Sequence, residues 1–197
     1  MYQFIESICC VDGELLLLDL HQARVNRTFF TNYGFLTKPM VLARIIRQIP
    51  SKGKYKCRVL YNNDQFEIEF VAYKAPKITS LQIVEGGDID YRYKFADRSA
   101  LDSLFGQRKG ADDMLIVKNG QVTDSYYANL AFFDGDTWWT PEEPLLGGVQ
   151  RQNLLDQRHI KTAQISLTDI LKYEKVSLIN AMNQLGEVVM SSSDIEQ

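Results

Sequence analysis

The sequence predicts an α+β protein built as two lobes. Three observations predict it. Short strand-like runs with turn residues between them alternate with helical stretches along the whole chain. The pattern changes near residues 75–90, from two helices beside hairpins to closely spaced strands. The 197 residues suffice for one sizeable core or two small ones. We therefore divide the chain into a smaller α+β lobe at 1–80 and a larger α+β lobe at 81–197.

Each element has its own signal. "FIESICCVDGELLLL" (4–18) reads as two extended runs joined by Asp12-Gly13, the strongest hairpin signal in the chain. "DLHQARVNRTFFTNYG" (19–34) reads as an amphipathic helix stopped at Gly34, and "KPMVLARIIRQIP" (38–50) as a second helix ended by Pro50. "KYKCRVLYNNDQFEIEFVAYK" (54–74) alternates across Asn62-Asn63-Asp64 as a second hairpin. A short strand and a Gly-Gly loop fill 74–91, and a helix is expected at 96–109. Residues 112–141 hold three strand-like runs punctuated by Asn119-Gly120 and Asp134-Gly135. A glycine pair then opens a helix at 147–160. Residues 166–190 start with a helix that Ser166 or Thr168 can cap, followed by strands. The tail "SSSDIEQ" is expected to fray.

Composition narrows the function classes. Twenty-two basic and 25 acidic side chains give a net charge of -3, with neither a nucleic-acid footprint nor a basic membrane face. The apolar run "LLLL" at 15–18 is far too short to span a bilayer, and "MYQFIES" does not read as a signal peptide. Cys9 and Cys10 are adjacent and Cys57 stands alone, with no C-x-x-C spacing, which suits a reduced compartment and no metal site. Cytoplasm is the expected location.

Four features carry chemistry. Lys94 lies between Tyr93 and Phe95, either as a snorkelling lysine or as an amine whose setting makes it a nucleophile. His21 and Arg24 share a helix face, with Arg27 one step further, and Arg24 is either solvated or aimed at a phosphate. "GGVQR" (147–151) is either a plain turn or a helix N-terminus whose N–H groups hold an anion. Asp124, in the aromatic stretch "VTDSYYANL", is a turn carboxylate or one buried to hold a protonated ring nitrogen. An amine nucleophile, a carboxylate for a ring nitrogen and two phosphate-directed elements together match what pyridoxal phosphate needs.

At these residues the chain resembles the fold-type IV pyridoxal-phosphate enzymes, or class IV aminotransferases. The family includes branched-chain and D-amino acid aminotransferases and aminodeoxychorismate lyase. "FIES", "DGE" and "LDLHQAR" resemble its N-terminal lobe, with Arg24 at the phosphate-binding arginine. "YKFADR" resembles the catalytic segment, with Lys94 at the cofactor lysine. "GQVTDSYYANL" is similar to the family's "G-x-V-T-E-x-x-x-x-N" strand, with Asp124 in place of the glutamate and Asn129 at the asparagine. "TPEEPLLGGVQR" resembles the phosphate loop, which places Val149 and Gln150 at the phosphate. The chain also opens without the first strands that most relatives carry.

The resemblance implies a two-lobed, D-amino acid aminotransferase-like fold, a small-molecule amine substrate and a homodimer. "NAM" (180–182), "YANL" (127–130) and Arg98, four residues after Lys94, resemble the lyase. The expected reaction is therefore the splitting of 4-amino-4-deoxychorismate into p-aminobenzoate and pyruvate, on the folate route. The alternatives are an aminotransferase acting on a D- or branched-chain amino acid, or a cofactor-binding protein without turnover. Arg27, Arg92 and Arg98 are the candidates for a substrate carboxylate.

Overall fold

The computed structural model describes residues 3–196. Two units emerge from how the chain packs. The first comprises residues up to 74 together with 93–97, and the second comprises 75–92 and 98 onward.

The first unit is a four-stranded antiparallel sheet with a helix on one face. Strand β1 (Phe4–Val11) turns through Asp12-Gly13 into the two-residue β2 (Glu14–Leu15). Strands β3 (Lys54–Tyr61) and β4 (Phe66–Ala72) form the hairpin expected at 54–74, and the sheet order is β2-β1-β3-β4. Helix α1 (Leu18–Tyr33) stops at Gly34, whose φ of 86° suits a residue without a Cβ. Its buried residues His21, Arg24, Val25, Thr28 and Phe29 recur at helical spacing. With Phe4, Ile8, Leu42, Cys57, Val59 and Tyr61 the apolar ones among them close a core. The three cysteines are buried thiols.

The helix expected at 38–50 is a single turn, α2 (Leu42–Ile45). Val41 at its start has no side-chain oxygen to cap it, and Ile46 returns to extended backbone. Gln48 then takes a φ of 54°, outside any helix.

Residues 93–97 pair with the edge of β1 opposite β3, at the first residues that the short β2 leaves open. Ile5 N–H donates to Lys94 O at 3.1 Å, and Ala96 N–H donates to Gln3 O at 2.9 Å. The Phe95 ring stacks on Phe4, with centroids 5.5 Å apart. Lys94 therefore goes with the first unit, whereas the sequence division had placed it in the lobe at 81–197. The long-range pairing of 93–97 with the chain's first strand leaves no mark in the local pattern.

The second unit is a mixed sheet. Its strands are β5 (Leu81–Glu85), β6 (Asp113–Lys118), β7 (Gln121–Ser125), β8 (Asn129–Phe133), β9 (Trp138–Pro141), β10 (Lys161–Ala163), β11 (Lys175–Ile179), β12 (Val189–Ser191) and β13 (Ile195–Glu196). They run in the order β10-β9-β8-β7-β6-β5-β13, with β11 and β12 continuing from β8. Strand β6 is buried along nearly its whole length and reads as a continuous apolar run, "MLIV".

Residues 112–141 hold four strands rather than three, because the run at 121–133 breaks at Tyr126–Ala128. Ser125 N–H donates to Ala128 O at 2.8 Å, and only Asp124 and Asn129 face each other across β7 and β8. Helix α3 (Ser99–Phe105) is shorter than the expected 96–109, since Lys109 and Gly110 take positive φ. Helix α4 (Val149–Asp156) stops before Arg158, which has a φ of 60°. The helix expected after Ser166 is a 3-10 segment, Leu167–Lys172, capped by Ser166 in a reciprocal arrangement with Asp169. The tail does not fray through Glu196. Residues 195–196 pair in parallel with β5, and Ile195 packs on the core. Gln197 lies outside the described residues. Among the described residues no helix is long and apolar enough to cross a membrane.

Candidate functional site

In the first unit, the period-2 alternation of β1 turns Phe4, Glu6 and Ile8 inward. A carboxylate on that face must be paired, and α1 supplies the partners from one stripe. Arg24 donates from Nε to Glu6 Oε1 at 2.8 Å and from Nη2 to Oε2 at 2.5 Å. His21 Nδ1 lies 2.6 Å from Glu6 Oε2. Burial alone would raise the Glu6 carboxyl, but the Arg24 guanidinium and the His21 bond outweigh it and hold it down at about 2. Burial pushes the His21 imidazole below its ordinary value, against the pull of Glu6, and the Arg24 and Lys94 charges push the same way as burial. His21 Nε2 is buried without a hydrogen-bond partner. Lys94 is half-buried and holds a left-handed backbone, with φ of 51°. That conformation is uncommon for a residue with a Cβ.

In the second unit, Asp124 and Asn129 sit at facing positions of β7 and β8, both buried. Asn129 donates from Nδ2 to Asp124 Oδ1 at 2.7 Å and also to Leu146 O at 2.8 Å. Leu146 N–H donates to Asp124 Oδ2 at 2.9 Å. Burial pushes the Asp124 carboxyl up to about 7, although these donors and the Arg151 charge pull the other way. Asn129 also lies against Gly148: a Cβ there would stand 1.9 Å from Asn129 Oδ1. Glycine is thus required at the start of α4 by close approach, with an ordinary negative φ of -70°.

Because Gly148 has no side chain, α4 has no side-chain cap, and its first N–H groups, at Val149 and Gln150, receive no acceptor from that position. Such a helix start suits an anion. The Gln150 side chain is turned elsewhere: Nε2 donates to Gln184 Oε1 at 2.7 Å, and its own Oε1 is buried without a partner. A carbonyl oxygen does not bind a phosphate, so at Gln150 the group suited to an anion is the backbone N–H.

Arg98 lies beneath the turn between β7 and β8. It donates from Nη2 to Tyr126 O at 2.6 Å and from Nη1 to Tyr91 Oη at 2.9 Å. Its guanidinium carbon lies 4.4 and 4.3 Å from the Tyr126 and Tyr127 ring centroids. Tyr126 Oη also bonds Asp102. From the other side Asn180 donates to Tyr127 O at 3.3 Å.

The two remaining arginines are not drawn into these groups. Arg92 is exposed and pairs with Asp90 at 2.9 Å. Arg27 is exposed on α1, since six residues at 100° each turn it off the stripe of His21 and Arg24.

Sequence reasoning missed three supporting residues. Glu6 was hidden because a lone glutamate in a strand reads as a surface residue. Arg151 is buried, donating to Thr140 Oγ1 at 3.2 Å and Pro141 O at 2.8 Å. Asp113 accepts from Met114 N–H at 2.7 Å and Tyr126 N–H at 3.2 Å, and burial pushes its carboxyl up to about 6. The signal available was the period-2 placement of Glu6 between inward Phe4 and Ile8.

Comparison with known proteins follows the same residues. The family model described as amino-transferase class IV matches residues 94–189, starting at Lys94. An uncharacterized protein of Haemophilus influenzae is 35% identical over 188 residues, covering 94% of this chain and all of the relative. A structure from Haemophilus somnus 129pt, provisionally named a 4-amino-4-deoxychorismate lyase, is 32% identical with a TM-score of 0.89. The match covers 93% of this chain and 98% of that one. A hypothetical aminotransferase from Mycobacterium tuberculosis, in its PLP-bound form, shares the fold with a TM-score of 0.76 at 14% identity, over 93% of this chain and 78% of that one. With this similarity, and the α+β architecture that goes with it, the chain belongs to the class IV aminotransferase family, the fold-type IV pyridoxal-phosphate enzymes.

Proposed function

We propose that this protein is a pyridoxal-phosphate-dependent lyase that splits 4-amino-4-deoxychorismate into p-aminobenzoate and pyruvate. The observation that carries the lyase over an aminotransferase is the turn between β7 and β8. The three lyase-like features, Arg98, "YANL" and Asn180 of "NAM", meet there, with Arg98 on Tyr126 O and Asn180 on Tyr127 O. The 32% identical Haemophilus somnus protein, named provisionally for that activity, points the same way.

The residues present fit the cofactor. His21 leaves a buried ring nitrogen without a partner, α4 begins uncapped at Gly148, and Asp124 is a buried carboxyl near neutrality. When bound, pyridoxal phosphate supplies an aldehyde for an amine and a protonated ring that draws electrons from the substrate. Lys94 would hold it covalently. Arg24 and the N–H groups of Val149 and Gln150 would take its phosphate. Asp124 would face the ring nitrogen, using lone pairs beyond those given to Asn129 and Leu146. A ring N–H cation beside Asp124 would favour its ionised form and lower its pKa again. Asn129 fixes the carboxylate plane and, through Gly148, the start of α4.

With the cofactor supplying the electron sink, the Lys94 amine would accept the proton whose removal triggers loss of pyruvate. Aromatisation to p-aminobenzoate drives the step. Arg98, engaged with three tyrosines, carries the substrate carboxylate role among the arginines, since Arg27 and Arg92 face solvent. The reading extends to a cytoplasmic homodimer on the folate route, and light scattering tests the dimer.

The test is direct. Purified protein with added cofactor is reduced with borohydride and the modified peptide mapped, beside Lys94→Ala. The aminodeoxychorismate reaction is then followed for both products. A phosphopyridoxyl group on Lys94 with release of p-aminobenzoate and pyruvate is expected. Amino transfer that needs a keto acid, without pyruvate release, would give the aminotransferase instead. Label on Lys94 without any turnover would leave a cofactor-binding protein.

A further inference from the structure

The turn between β7 and β8 carries a ring that the roles assigned above leave unused. Tyr127 is 63% exposed, yet it is held from several sides. The Arg98 guanidinium carbon lies over its ring at 4.3 Å from the centroid. Tyr126 meets it edge-to-face, with centroids 4.2 Å apart, and Asn180 donates to its carbonyl at 3.3 Å.

The holders are fixed in turn. Arg98 donates to Tyr126 O at 2.6 Å and to Tyr91 Oη at 2.9 Å. The Tyr126 ring stacks on Phe105 with centroids 4.2 Å apart, and its hydroxyl bonds Asp102. A ring already held in this way needs little further ordering when a ligand covers it. The turn also stands on the strand ends that carry the buried carboxyl, since Asp124 and Asn129 face each other at its base.

A cation lies over one face of a ring only, so the other face of Tyr127 is the open one. The Arg98 charge draws π electrons toward its own side. The open face is then less negative than that of an ordinary tyrosine, which favours an electron-rich or anionic unsaturated ring over a saturated one.

We propose that Tyr127 is a specificity-determining residue, its open face stacking on the unsaturated six-membered ring of a carboxylate substrate or product. No bond forms or breaks in this contact. The inference rests on the lyase reading, because the substrate and the product of that reaction both carry such a ring.

Binding of benzoate and of cyclohexanecarboxylate to the full chain with cofactor added tests it, by ligand-observed NMR titration. Both have a six-membered ring and a carboxylate, and neither has an amine to react with the cofactor. The unaltered protein should bind benzoate about tenfold more tightly, as expected for one stacked ring pair. Folded Tyr127→Phe should keep that preference. Tyr127→Leu, apolar but without a π face, should reduce it to about twofold or less. Equal binding of the two ligands by the unaltered protein, or no binding of either, overturns the proposal. A preference that Tyr127→Leu leaves intact, or that Tyr127→Phe loses equally, overturns it too. So does a changed association state of Tyr127→Leu in light scattering, which would make the ring an interface residue. Failure to release p-aminobenzoate and pyruvate from aminodeoxychorismate sinks the lyase reading instead, and the benzoate preference still decides whether Tyr127 stacks on a ring.

Discussion

At the scale of single residues, two buried carboxyls act in opposite senses. Glu6 is held at about 2, below the ordinary 4.5, so its stabilisation is present above pH 4.5 and is lost as pH falls toward 2. Its worth is on the order of 3 kcal/mol. Glu6→Gln leaves Arg24 without its buried counter-charge and should destabilise the protein by about 3–5 kcal/mol. Urea unfolding at pH 7 checks this, and the variant should lose most of the acid dependence between pH 4.5 and 2. Asp124 runs the other way. Its carboxyl is raised from 3.8 to about 7, so the native state holds a proton that the unfolded chain releases. Stability contributed by this site therefore falls as pH rises from 3.8 through 7. Asp124→Asn should flatten that fall, read as the difference from the unaltered protein across the window. The same variant should bind the cofactor more weakly and lose turnover, since an amide cannot balance a protonated ring.

At the scale of elements, the start of α4 and the end of β8 are one construction. Asn129 is placed by β8, holds Asp124 of β7, reaches back to Leu146, and fills the space that a Cβ on Gly148 would occupy. Gly148→Ala is compatible with the backbone φ of -70°, so its effect is pure crowding. It should displace Asn129, cost about 3 kcal/mol of stability and abolish cofactor binding. Thermal unfolding and titration with cofactor read the two effects separately. The β7–β8 turn is held by Arg98 and Asn180 on carbonyls and by Asp113 on the Tyr126 N–H. The lyase-like features therefore have a structural duty in this turn.

At the scale of the whole molecule, each unit has its own core. A ligand that binds only the native state stabilises it, by about 2.7 kcal/mol at a hundredfold excess over its dissociation constant. For a chain of this length that corresponds to a rise of roughly 5–10 °C in Tm. Thermal unfolding should show this rise when cofactor is added, and in Lys94→Ala the gain should shrink sharply.

The amino-acid sequence by itself determined the α+β class, both hairpins and α1, and it singled out Lys94, Arg24, Asp124 and Asn129 as candidates. Those follow from local periodicity, turn residues and the kinds of group present. Tertiary structure alone decided that Lys94 pairs with β1, that Glu6 grips His21 and Arg24, that Arg27 faces solvent and that the last strand closes on β5. The 38–50 segment shows why. Its apolar pattern suits a helix, but an uncapped start and the pull of the core leave one turn. Contacts between residues far apart in the chain carry no period in the sequence. They are fixed only when burial forces each inward polar group to find its partner.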